Sequence, residues 1–317
     1  MLGQAIGPVF GGIISQYLGY HVIFWFLFGG GVFALLVLVV FLPETLRPIA
    51  GNGSICLKGI HRPLYYRFTP SQEHLIEQNL PPAKPFTPSM LLSPFKLLLE
   101  KDVFSTILFG SVVYAVWSMV TSSTPALFQS RFHLSDLQTG LIFLPNGIAS
   151  ILGSYLTGKL SVHDLAVVNR RSPSHHPADF PFAHARLRSI WWLIALLLLS
   201  TALYGFSLRL HTPFPALLLQ FLISYAANSI FALNSTLMVD LFPGSSASAT
   251  ALNNLVRCLL GAGGVAGVQV VIDALGAGPT FALCAGVMAA AGPLVALEWR
   301  NGARWARERR ERLAAAG

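Results

Sequence analysis

Apolar residues run along this chain in long blocks with polar punctuation between them, and the two-residue alternation of a half-buried strand is absent. Eight blocks are read as helices, over about residues 3–18, 22–42, 103–125, 137–159, 189–208, 214–239, 248–272 and 280–297. Most are long enough to cross about 30 Å of hydrocarbon. Within hydrocarbon each backbone amide needs a partner in its own segment, which leaves helices once the alternation of barrel strands is missing. The predicted fold class is therefore all-α integral membrane, with eight transmembrane helices. The first is short, and Gly19-Tyr20-His21 is the turn to the second.

Two hydrophilic stretches divide these helices. Residues 43–102 are rich in Pro and charge, with Pro81-Pro82, Pro85 and Pro88, and read as an irregular central loop whose end, 89–99, suits a short interfacial helix. Residues 161–188 carry Arg170-Arg171, His175-His176 and Arg186 to Arg188. The organisation expected is residues 1–42, the central loop 43–102, a six-helix bundle 103–299 and a basic tail 300–317.

Composition agrees, since 54% hydrophobic against 11% charged residues is far from the roughly 25% charged of soluble chains. The net charge of +8 is topological. Eighteen of the 21 Lys and Arg residues lie in the two long stretches and the C-terminal tail, counting Lys159 at the edge of the second stretch, Arg131 and Arg209 lie on the opposite side, and Arg257 lies inside a span. That bias places the long loops and both termini in the cytoplasm. No basic stripe with interleaved aromatics is present, so nucleic acid is not an expected partner. No basic segment precedes the first apolar run, so a cleavable signal peptide is not expected either. Cys56, Cys258 and Cys284 have no metal-ligand spacing, and no Ser-His-Asp or His-Glu-x-x-His grouping appears, so neither a metal site nor an enzyme is expected. The glycosylation patterns at Asn52 and Asn234 fall in a cytoplasmic loop and in the bilayer.

The chemistry lies in intramembrane polar residues. Arg257 is the basic residue well inside a span, where a charge costs at least about 2.5–3.5 kcal/mol. It is read either as a cavity-facing cation for anionic groups or as a structural partner of Asp240, a loop carbonyl or the interface. Asn253 and Asn254 lie one turn away, and the preceding span carries Asn228 and Asn234, which are substrate-cavity candidates or interhelical glue. Tyr114 and Trp117, three apart, suit an aromatic wall for a flat apolar solute or a lipid-facing surface. Pro145-Asn146-Gly147 is expected to break its helix and offer Asn146 and a carbonyl to the cavity. In the first helix Gly3, Gly7 and Gly11 are spaced four apart on one face, with Pro8 as a bend and Gly12 beside them, which predicts close approach of another backbone.

Residues Gly3 to Gly12 resemble the antiporter motif in the fifth span of major facilitator exporters, where it packs the two halves together and limits proton leak. Leu42-Pro43-Glu44-Thr45-Leu46-Arg47 is similar to the exit of the sixth span. Gly51-Asn52-Gly53-Ser54-Ile55, Glu100-Lys101-Asp102, Asp179-Phe180-Pro181 with Ala185-Arg186-Leu187, and Val239-Asp240-Leu241-Phe242-Pro243-Gly244 through Asn253-Asn254-Leu255-Val256-Arg257-Cys258 resemble the fungal twelve-span drug:proton antiporters of the quinidine-resistance type. Gly158, Lys159, Asp164, Arg170 and Arg171 resemble that family's gating loop in degraded form.

The resemblance implies that the eight helices correspond to spans five to twelve, with residues 1–42 the last two helices of the N-terminal bundle. It implies proton-coupled export of small hydrophobic or cationic compounds, with the proton as coupling ion and no other cofactor. The expected location is the plasma membrane as a multi-pass protein, and the partners are the small-molecule substrate and the lipid bilayer. With one bundle mostly absent from the sequence, the expectation is that independent activity is impaired. The competing class is a non-transporting membrane fragment, or a modulator that associates with a full-length transporter.

Overall fold

A computed structural model of the chain describes residues 2–42, 95, 97–171, 182–242 and 246–316. The chain divides into two compact units, Met1–Ile13 with Leu91–Gly317, and Ile14–Met90. Most of the predicted central loop lies outside the described residues. Of the interfacial helix expected there, the described part is Phe95 and a single 3-10 turn, Leu97–Leu99.

The described residues form helices α1 (Leu2–Leu18), α2 (Tyr20–Phe41), α3 (Lys101–Phe132), α4 (Asp136–Leu141), α5 (Phe143–Arg171), α6 (Phe182–Arg186), α7 (Ile190–Ser207), α8 (Phe214–Leu241), α9 (Ser246–Leu275) and α10 (Ala277–Ala316). Among them seven segments are long and apolar enough to cross a membrane, with α4 and α5 counted as one, and the stretch Ile6–Leu18 is a shorter apolar helix. The eight predicted spans are thus all helical, and the fold is all-α and membrane-spanning. In the second unit, α2 has aromatic and aliphatic side chains exposed on every side.

In the first unit α3 packs along α9 and α10, and α8 packs along α5 and α7. The core is formed by Phe109, Val113 and Val120 of α3, Leu193 and Leu197 of α7, Ile223, Ile230 and Leu233 of α8, and Phe281 and Met288 of α10. Tyr204 is fully buried in it, 3.1 Å from the Thr124 hydroxyl and edge-on to Phe281 at 5.0 Å. Gly276 adopts φ +83°, where L side chains are disfavoured, and so turns α9 directly into α10.

Several predicted boundaries move, each for a local reason. α3 continues through Pro125 to Phe132. Thr121, Ser123 and Thr124 donate back to carbonyls one turn earlier, and neighbouring helices support a proline that would end an isolated helix. The helix break expected at Pro145-Asn146-Gly147 lies instead at Ile142, between α4 and α5, and α5 runs unbroken through those three residues. A proline clashes with the carbonyl four residues before it, here that of Leu141, so the disruption appears one turn upstream of Pro145. Past residue 159 no Pro or Gly interrupts the chain before Arg171, so α5 extends into the predicted loop as far as Arg171, and α10 carries the basic tail as helix to Ala316.

Candidate functional site

Arg257 sits roughly 16 Å along α9 from its first residue, at about 1.5 Å per residue. Its guanidinium carbon lies 4.7 Å from the ring centroid of Tyr114 on α3 and 5.7 Å from that of Phe231 on α8. Gly261, one turn further along α9, makes room for Tyr114, because a Cβ there would stand 2.8 Å from Cε1 of that ring. Tyr114 and Phe231 lie 5.6 Å apart, and Trp117 meets Phe231 edge-on at 6.2 Å. Trp117 is itself buried and donates its indole N–H to Ser224 Oγ at 3.3 Å, so it backs the aromatic surface while Tyr114 and Phe231 face the cation.

Among the described residues no carboxylate lies within ion-pair distance of Arg257, and its Nε is buried with no hydrogen-bond acceptor. Asp240, the partner the sequence offered, is instead 2.7 Å from Nε of Arg186. Two ring faces supply about 0.5–2 kcal/mol to a guanidinium, less than the roughly 2.5–3.5 kcal/mol a charge costs at bilayer depth. The ring contacts alone therefore do not offset that cost.

The amide candidates separate into engaged and free groups. Asn228 donates to Ser150 Oγ and to the Ser224 carbonyl, both at 2.9 Å, and Ser150 in turn donates to the Asn146 carbonyl at 3.0 Å. Asn234 reaches the Thr106 carbonyl at 3.5 Å, where Gly110 leaves it space. Both therefore tie α8 to a neighbouring helix. Asn146 is buried with Oδ1 unpartnered among the described residues, Asn253 is buried, and Asn254 is exposed on the turn that precedes Arg257.

Among the described residues the close approach to α1 falls at Gly12 and not at Gly3, Gly7 or Gly11. A Cβ at Gly3, Gly7 or Gly11 would meet nothing within 4 Å among the described residues, whereas one at Gly12 would lie 2.7 Å from the Asp136 carbonyl oxygen. Reciprocally, a Cβ at Gly140 would stand 2.6 Å from the Pro8 carbonyl oxygen. The backbone of α1 at Pro8 to Gly12 thus crosses α4 at Gly140. Four-residue spacing marks a face able to receive a backbone, but the crossing point is set by where α4 runs.

Comparison with known proteins matches residues 1–265 to the family described as Major Facilitator Superfamily. The chain belongs to the major facilitator superfamily. It is 50% identical over its whole length to citrate exporter 1 of Aspergillus niger, spanning 63% of that protein. It is 30% identical to the MFS antiporter QDR2 of Candida albicans, with 90% of the chain covering 58% of that protein. It is 32% identical to the MFS-type transporter clz19 of Cochliobolus lunatus, with 96% of the chain covering 60% of it. The chain thus spans less than two thirds of the length of these relatives.

In this major facilitator chain the residues that resemble a gating loop lie on the end of α5. Gly158 and Arg170 are exposed, Lys159 stands 4.6 Å over the Tyr155 ring, and Arg171 closes the helix. Asp164 is buried and accepts from the Ser189 hydroxyl at the start of α7, with Arg188 Nε at 3.8 Å. The same end of the helices holds Arg186 between Asp240 and Ser161 Oγ, each at 2.7 Å, and the buried pair of Arg309 with Asp102. Here the described ends of the two long stretches, at Asp102, Asp164 and Arg186, lie with Arg309 of the tail helix, while Arg131 at the far end of α3 donates to the Leu208 and Arg209 carbonyls. Phe231 and the buried Glu298 escaped the sequence reading. Phe231 carries no signal among so many apolar residues, but a glutamate beside the apolar run that ends at Leu297 does.

Proposed function

We propose that the chain forms part of an exporter of small carboxylate solutes coupled to protons, and that Arg257 binds the solute carboxylate. The observation that carries this reading is a guanidinium inside a membrane span with aromatic faces behind it and, among the described residues, no carboxylate within ion-pair distance. A planar fork of N–H donors matches a carboxylate bidentately, and a solute with several carboxylates suits a cation that has no internal partner. Identity of 50% to a protein named citrate exporter 1 points to the same solute class.

A second reading, export of hydrophobic or cationic drugs, draws support from the aromatic surface of Tyr114 and Phe231 and from 30% identity to a protein named MFS antiporter. Both readings have the protein in the plasma membrane.

Radiolabelled citrate efflux and quinidine resistance, measured in cells expressing the gene and in the Arg257→Lys and Arg257→Ala variants, separate them. The carboxylate reading expects citrate efflux that falls in Lys and further in Ala. Drug resistance conferred by the gene with no citrate efflux would sink it in favour of the second.

A further inference from the structure

At the end of the helices that holds the Arg309–Asp102 pair, Glu298 of α10 is 1% exposed. Ser105 Oγ of α3 lies 2.7 Å from Glu298 Oε2 and 3.2 Å from the Asp102 carbonyl oxygen, and Oε1 has no partner among the described residues. One hydroxyl has a single proton, so it cannot donate to both acceptors at once. If Glu298 is ionised, Ser105 donates to Oε2 and Oε1 is left as a buried charged oxygen without a donor; a proton on Oε2 removes that charge. Glu298 then donates to Ser105 Oγ, and Ser105 donates to the Asp102 carbonyl.

Among the described residues no cation forms an ion pair with Glu298. Arg309 is committed to the Asp102 carboxylate and to the Leu241 carbonyl at 3.2 Å, with its guanidinium 4.3 Å over the Phe242 ring. Asp102 itself is also buried, so a second negative charge beside it would be opposed by like charge. On the other elements packed against α10, Glu100 of α3 pairs with Arg312 at 2.8 Å, Lys101 is exposed, Arg186 of α6 is held by Asp240, and His184 lies edge-on to Trp299 at 4.8 Å. Residues 190–207 of α7 carry no charge, and the charged groups of α9 are Arg257, on its aromatic faces, and Asp273, which accepts from Gln269. Gly302 closes the site, because a Cβ there would lie 2.8 Å from both Glu298 Oε1 and Ala183 Cβ.

We propose that Glu298 is a proton-binding site that holds its proton in this conformation, with Ser105 Oγ as the group facing Oε2. The inference needs a transporter of this superfamily and stands whichever solute it carries.

The test uses the full chain in lipid vesicles, by infrared spectroscopy. At neutral pH the wild type should show the carbonyl stretch of a protonated carboxylic acid, lost in Glu298→Gln and shifted in Ser105→Ala, which removes the hydrogen-bond acceptor. In heavy water the band should show an isotope shift, since a working site exchanges its proton. Absence of the band in the wild type, its persistence in Glu298→Gln, or its failure to respond to heavy water overturns the proposal. Should Glu298→Gln not fold, the Ser105→Ala shift decides, and an unmoved band refutes the assignment.

Discussion

Removing Arg257 separates a solute-binding cation from a structural one. Arg257→Ala deletes a charge whose placement at bilayer depth costs roughly 2.5–3.5 kcal/mol and forfeits ring contacts of about 0.5–2 kcal/mol. No carboxylate of the described chain is left unpaired by the change, because Asp240 belongs to Arg186. The balance predicts unchanged or higher membrane abundance and thermal stability. Solute binding should move the other way, since a charge-assisted hydrogen bond contributes about 1.5–3 kcal/mol, or roughly 10- to 150-fold in affinity. Arg257→Lys keeps the charge without the bidentate fork and should fall between. The assay pairs citrate binding by calorimetry on purified protein with efflux per molecule at the cell surface. Reduced abundance with normal affinity per folded molecule would refute the reasoning and make Arg257 a packing residue.

The two kinds of glycine on α1 should respond oppositely: Gly12→Ala should destabilise the purified chain by about 1–3 kcal/mol through its clash with the Asp136 carbonyl. Gly7→Ala should stabilise it by about 0.5–1 kcal/mol through helix propensity, and equal unfolding midpoints for the two would contradict the crossing at Gly140. Asp240→Asn should cost about 1.5–3 kcal/mol by removing the charge opposite Arg186, with a smaller loss in an Arg186→Ala background; additive effects in that cycle would deny the coupling. With Cys56, Cys258 and Cys284 replaced by serine, an impermeant thiol reagent applied to intact cells should label a cysteine at His133 and spare one at Arg304, both exposed positions. The reverse pattern would invert the topology.

The helices themselves were legible in the sequence because hydrocarbon admits little else: an apolar run of sufficient length has to satisfy its own backbone, whatever surrounds it. The distribution of Lys and Arg likewise marked one set of helix ends, and among the described residues Arg309 and Arg186 of those stretches are paired there with Asp102 and Asp240. Helix termination was less legible, as at Pro125 and past residue 159, because a proline or a polar residue acts on a helix only as far as its neighbours allow. Partnership was decided by tertiary structure alone. Nothing in the spacing of Asp240 and Arg257 excluded a pair, and Arg186 claims Asp240 because α6 crosses the end of α8, 54 residues away along the chain. The same packing leaves Arg257 against Tyr114 and Phe231 and puts Glu298 beside Ser105, 193 residues apart. Contacts of that kind depend on how α3, α8, α9 and α10 are arranged in space, and hydrophobic periodicity, which reports only that a face is apolar, does not encode which helix will cover it.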